Sequence, residues 1–109
     1  METWKIGNVT MLIPEATPDN LEPMSGWLKP HFINEDGTIP LSIHTFLVES
    51  EGVKILVDTC IGNNKPRPLP DWNLRQGQFL EQLEEAGAKR ESVDVVLCTH
   101  LHVDHVGWN

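Results

Sequence analysis

The residues best suited to chemistry lie together in Thr99-His100-Leu101-His102-Val103-Asp104-His105. Three of the five histidines fall within six residues there, with Asp104 among them. Neutral imidazole nitrogen and carboxylate oxygen are donors that zinc takes. Spacing narrows the chemistry further. Side chains at i and i+2 of an extended chain point to the same side, so His100 and His102 can grip one ion together. Asp104 and His105 are adjacent and cannot share one face of a straight strand. A turn at Val103 is therefore needed if both are to face a second ion, and Gly107 is a residue that permits one. A lone histidine would read as a surface or core residue. Four ligand-type side chains packed directly after an apolar run read as a metal site.

Several elements must position this cluster. Asp94-Val95-Val96-Leu97-Cys98-Thr99 predicts a buried strand that delivers the histidines. Upstream, Leu41 to Glu49 and Val53 to Thr59 predict paired strands with a tight hairpin turn at Glu51-Gly52. The nearly continuous apolar run Val53-Lys54-Ile55-Leu56-Val57 suits a strand covered on both faces. A helix is expected from Leu74 to Ala86, with Asn73 as N-cap and Gln76 completing a capping box. Its apolar stripe is Phe79, Leu80, Leu83 and Ala86, and Gly87 is its natural stop. Strand, helix, strand argues for an α/β layered fold with parallel neighbours.

The N-terminal part is less regular. Trp4 to Ile13 predicts a first strand closed by Pro14. Residues 14 to 40 hold five of the eight prolines and read as a long, shaped loop, a type that is often functional. Met24, Trp27 and Phe32 are expected to plug this loop onto the core rather than line a substrate pocket. Residues 60 to 72 read as another proline-rich loop. His44 shares a strand face with Phe46 and Val48 and reads as a hydrogen-bonded core histidine. His31 falls in the long loop, and nothing in the sequence assigns it a role.

Composition excludes some partners. At 109 residues the chain is long enough for one ordinary domain, and 39% apolar residues suit a globular protein. The formal charge is −8, whereas nucleic acid and anionic membrane surfaces call for basic proteins. No apolar run approaches the roughly 20 residues that span a bilayer. The start, Met1-Glu2-Thr3-Trp4-Lys5, lacks the form of a signal peptide. A cytoplasmic location is expected, where thiols stay reduced. Cys60 and Cys98 are then free thiols, with Cys98 buried in its strand, although sequence alone leaves a bridge open.

The pattern H-x-H-x-D-H after an apolar strand resembles the metallo-β-lactamase superfamily, whose αββα sandwich holds one or two metals at its sheet edges. Ile55-Leu56-Val57-Asp58-Thr59 is similar to the family's strand ending in an Asp-Thr pair. Asp58-Thr59-Cys60-Ile61-Gly62-Asn63 and Gly107-Trp108-Asn109 look most like the branch containing lactonases and organophosphate hydrolases. Cys60 stands where much of the superfamily has glycine. The resemblance implies that His100 and His102 bind a first metal, and Asp104 and His105 a second. Asp58 would hold the ligands by hydrogen bonds, or else be a plain strand-end turn residue. It implies two Zn2+ ions, with other divalent metals open, and a metal-bound hydroxide acting on an ester, lactone or phosphotriester. Asp104 would be catalytic, orienting the nucleophile, and no serine or cysteine nucleophile is needed.

The family draws its remaining ligands, two histidines and an aspartate, from later in its domain. The sequence stops at Asn109, so residues 1 to 109 are expected to be the N-terminal half of one such domain, truncated after the first metal-binding motif. Metal-dependent hydrolysis is then a property of the parent protein. An inactive fragment and a di-iron oxidoreductase of the same fold are the competing readings. The partner is a small-molecule substrate whose contacts the sequence does not name. Half a sandwich would also expose an apolar sheet face and favour self-association.

Overall fold

The computed structural model describes residues 2–6, 17–36 and 38–109. Two compact units are formed, one by Met1–Asn8 with Ile43–Asn109 and one by Val9–Ser42. The first holds a four-stranded sheet in the order β1 (Glu2–Ile6), β2 (Thr45–Ser50), β3 (Val53–Val57), β4 (Val95–Leu97). β1 and β3 flank β2 antiparallel, and β4 runs parallel to β3. The expected first strand is present as β1. Its predicted continuation to Ile13 lies outside the described residues.

The β2–β3 hairpin turns where the sequence places it, although β2 begins at Thr45 rather than Leu41 and β3 ends at Val57 rather than Thr59. Glu51 and Gly52 both take positive φ, +52° and +80°, as in the tight turns whose twist matches paired strands. Ser50 therefore faces Val53, and Phe46 faces Val57. Alternation along β2 buries Thr45 and Leu47 and leaves Phe46 exposed. His44 is thus half-buried on the outer side, its ring edge-on to Phe46 at 4.8 Å, and not a core histidine. Only Leu56 of β3 is buried. Lys54 breaks the expected two-sided cover, its ammonium donating to the Gly87 carbonyl at 2.8 Å and pairing with Glu49 at 3.1 Å.

Between β3 and β4 the chain crosses over through a helix, α1 (Phe79–Glu85) by order within this unit. It starts later than the pattern predicts. Leu74 sits at φ +52°, and the would-be cap Asn73 instead accepts the Arg67 amide at 3.0 Å. Gln76 is likewise drawn away, donating to the Asn64 side chain at 3.0 Å. The helix stops as expected: Gly87 takes φ +95°, and the Ala88 amide returns to the Leu83 carbonyl at 3.0 Å. Phe79 and Leu83 bury its inner face against Leu47, Leu56 and Ala88. No β4 residue joins this core. Val95, Val96 and Leu97 form an exposed sheet edge, not the buried strand that their apolar run suggests.

The second unit replaces the expected long loop with short helical turns over Pro18–Leu21, Glu22–Met24 and Ser25–Leu28. Thr17 caps the first by accepting the Asn20 amide at 3.4 Å. Pro18 and Pro23 occupy first-turn positions, where a missing N–H costs nothing. Among the described residues of this unit, Ile33 is buried. Met24, Trp27 and Phe32, expected to plug inward, are exposed, and Trp27 and Phe32 pack edge-on to each other at 6.3 Å.

Candidate metal centre

The site begins where β3 runs out. Asp58 and Cys60 take left-handed backbone, φ +60° and +57°, with Thr59 between them. The wrap is pinned from several sides. The buried Thr45 hydroxyl donates to the Asp58 carbonyl at 2.7 Å, and the Asp58 amide donates to the Leu97 carbonyl at 2.7 Å. The Thr59 amide then reaches the His105 carbonyl, and the Gly107 amide the Cys60 carbonyl, both at 2.8 Å. The Asp58-Thr59-Cys60 segment therefore runs alongside the histidine loop and holds both its ends.

Within that loop the predicted ligands come together. His100 and His102 lie beyond the end of β4, yet on one side as their spacing predicts. Their Nε2 and Nδ1 atoms are 3.1 Å apart. The chain then turns, the His105 amide donating to the His102 carbonyl at 3.0 Å. After the turn, His105 Nε2 stands 3.4 Å from Asp104 Oδ2. The His100 and His105 rings meet with centroids 3.9 Å apart, so the two donor pairs are neighbours. Among the described residues no group of three or more His, Cys, Asp or Glu converges to hold one ion. What the chain presents is two pairs.

Asp58 anchors both. Its Oδ1 accepts the Thr99 amide at 2.7 Å, and its Oδ2 accepts the Thr99 hydroxyl and His105 Nδ1, each at 2.8 Å. Burial raises the pKa of this carboxyl, but the bonds from the Thr99 amide, His105 and the Thr99 hydroxyl outweigh it and hold the carboxyl below the usual carboxylate value. An ionised carboxylate only accepts, so His105 Nδ1 carries a proton, and in the neutral ring its Nε2 keeps the lone pair. Asp58 is therefore no plain turn residue. Thr99 is the residue that sequence reasoning missed.

Two glycines let the supporting segments cross. A Cβ on Gly107 would collide with the backbone of Ile61 and Gly62, and one on Gly62 with the carbonyl of Gly107. Gly107 thus serves close approach rather than a turn of unusual φ, as its place in the motif first suggests. Beyond it, Trp108 stacks on Phe79 at 5.8 Å, and Asn109 accepts the Thr59 hydroxyl at 2.6 Å. These contacts tie the end of the histidine loop to the helix and to the Asp58 turn.

A sequence profile of the metallo-beta-lactamase superfamily matches residues 38–109. The chain belongs to this superfamily. Among curated protein sequences none matches it. A crystal structure described as a "probable metal-dependent hydrolase" from Staphylococcus aureus superposes with TM-score 0.69 at 24% identity, over 95% of this chain and 39% of that one. A crystal structure described as "hydrolase AbOPH in beta lactamase superfamily" gives 0.70 at 26% identity, over 94% of this chain and 34% of that one. AidC, a dizinc quorum-quenching lactonase, gives 0.66 at 24% identity, over 94% and 33%. The fold is mixed α/β, a partial metallo-β-lactamase fold, and the chain spans from 33% to 39% of the length of these relatives.

The left-handed backbone of Cys60, at φ +57°, is a conformation that glycine adopts without cost. Burial pushes the Cys60 thiol up, and the nearby Asp58 charge adds to this, which favours the protonated thiol at neutral pH. Both cysteines are free thiols. Cys98 is half-buried, not fully buried, and accepts from the Asn109 amide group at 3.1 Å.

The donor separations, which are also those of a hydrogen bond and an ion pair, are compatible with two ligands on one divalent ion. At bond lengths of about 2.0–2.1 Å, two donors sit about 3.3–3.4 Å apart on a tetrahedral ion and about 2.9 Å apart at a right angle. The observed 3.1 Å and 3.4 Å fall within that span. His31 is exposed in the second unit.

Proposed function

We propose that this chain carries the paired half-sites of a metal-dependent hydrolase. His100 and His102 would hold one Zn2+ or similar divalent ion, and Asp104 and His105 a second. The observation that carries the reading is the pair of donor separations, 3.1 Å and 3.4 Å, each matching the bite of one ion. Further donors must complete each coordination sphere, since catalytic zinc sites usually have three protein ligands. We take these to come from the rest of a domain of which residues 1–109 are the N-terminal part, a reading supported by the 33% to 39% of the relatives' length that the chain spans.

When bound, such ions lower the pKa of water toward ~7 and polarise a carbonyl or phosphoryl oxygen. The chain's own residues supply the rest. Asp58 keeps the proton of His105 on Nδ1, away from the ligand nitrogen. Asp104, half-buried, brings the negative charge that favours a divalent ion, and one oxygen able to orient the nucleophilic water. The substrate class is an ester, lactone or phosphotriester, supported by the lactonase and hydrolase relatives. A small molecule fits the formal charge of −8 better than nucleic acid or a membrane surface, and we place the protein in the cytoplasm.

The test is metal analysis of the complete domain together with its hydrolysis of a lactone and a phosphotriester. His100→Ala and His102→Ala should each lower zinc per chain and abolish most turnover. Asp104→Asn keeps an oxygen but loses the charge, and should lower turnover by at least about a hundredfold while the fold survives. Unchanged zinc content in both histidine variants would remove the assignment.

A further inference from the structure

We infer that Thr99 is a positioning residue: its hydroxyl relays the Asp58 carboxylate to His100, so one carboxylate sets the ligand nitrogen in both donor pairs. This rests on the metal-site reading above and extends it to a residue outside the H-x-H-x-D-H pattern.

The argument is one of hydrogen-bond capacity. A threonine hydroxyl has a single proton to give and two lone pairs. The ionised Asp58 carboxylate can only accept, so the hydroxyl proton is spent on Oδ2 at 2.8 Å. His100 Nδ1 lies 3.1 Å from the same hydroxyl oxygen, which has only lone pairs left to offer. His100 Nδ1 must then carry a proton, and in the neutral ring its Nε2 is bare. That Nε2 is the atom facing His102 Nδ1 across the 3.1 Å gap. His105 needs no relay, because its Nδ1 meets Asp58 Oδ2 directly at 2.8 Å.

Thr99 is exposed, so water competes for its hydroxyl. The competition is weakened by a second grip. Asp58 holds Thr99 at two points, the amide on Oδ1 at 2.7 Å and the hydroxyl on Oδ2. The side chain is thereby oriented before any ligand arrives. Serine can make both bonds, whereas valine keeps the branched shape and the amide bond but loses the relay.

The experiment compares wild type, Thr99→Ser and Thr99→Val by nitrogen-15 NMR of the metal-free protein, at about pH 8 where imidazoles are neutral, and by zinc titration. Wild type and Thr99→Ser should show His100 protonated on Nδ1. Thr99→Val should shift His100 toward the Nε2-protonated form, leave His105 unchanged, and bind zinc about 10–100-fold more weakly. An unchanged His100 tautomer in Thr99→Val would overturn the relay. A shifted tautomer with unchanged zinc affinity would overturn the positioning role. A complete domain with the Thr99-dependent tautomer that takes up no zinc would overturn the hydrolase reading while supporting the relay itself.

Discussion

Asp58 concentrates the consequences of a single side chain. It is buried, accepts three hydrogen bonds from Thr99 and His105, and touches none of the proposed ligand nitrogens. In Asp58→Asn, an amide oxygen can replace Oδ1, but an NH2 group then meets two donors at the former Oδ2. Either His105 gives up its Nδ1 proton or the contact breaks, and the Thr99 hydroxyl must turn. The variant should lose about 1–3 kcal/mol of stability, as expected for a buried polar group left mismatched. Zinc affinity should fall about 10–100-fold. Denaturant unfolding and zinc titration check both, and wild-type values for the two would return Asp58 to the role of a turn residue. At this scale the sequence was informative about ligand types and silent about their alignment. His100, His102, Asp104 and His105 announce themselves by chemistry and spacing. Thr99 reads as a β-branched residue ending a strand, because its partner Asp58 lies 41 positions away.

Among the elements, the histidine loop and the Asp58 turn are held together by a crossing that only glycine allows. In Gly107→Ala the new methyl would collide with the backbone of Ile61 and Gly62, which cannot rotate out of the way as a side chain could. The loss should be about 3 kcal/mol or more, the upper range of overpacking, and zinc binding should fall with it. Gly26→Ala is the control: nothing lies within 4 Å of its added methyl, so its unfolding midpoint should move little. Equal midpoints for the two variants would show that the crossing can relax. Elements that rest on local pattern were legible, as with the Glu51-Gly52 hairpin and the Gly87 helix stop. The helix start was not. Asn73 and Gln76 carry the signature of a capping box, but their side chains bond to Arg67 and Asn64, 6 and 12 positions away. Such partners compete with capping through tertiary structure, and local sequence does not reveal them. The three residues of β4 were misplaced for a related reason, since an apolar run indicates what prefers burial and not whether a neighbour is there to provide it.

For the whole molecule, the balance between charge and exposed apolar surface governs its behaviour in solution. Val95, Val96 and Leu97 are 38%, 43% and 50% exposed along a sheet edge, and Leu101 beyond them is 81% exposed. An edge strand with unpaired backbone and apolar side chains is a template for another strand. Opposing this is the formal charge of −8, which makes two copies repel. Repulsion is long-ranged and screened by salt, its reach falling from ~30 Å at 0.01 M to ~3 Å at 1 M ionic strength, whereas burial of apolar surface is not weakened in this way. Self-association of the chain should therefore increase as sodium chloride rises from about 0.01 to about 1 M. Val96→Lys adds a charge to the edge, the means by which natural sheets discourage such pairing. This variant should remain monomeric across the same range with an unchanged far-ultraviolet circular dichroism spectrum. Sedimentation velocity at matched protein concentration distinguishes the two. A wild-type chain that sediments as a monomer throughout would mean that the β4 edge is not an association surface for a second copy. Association of equal strength in Val96→Lys would place the contact elsewhere.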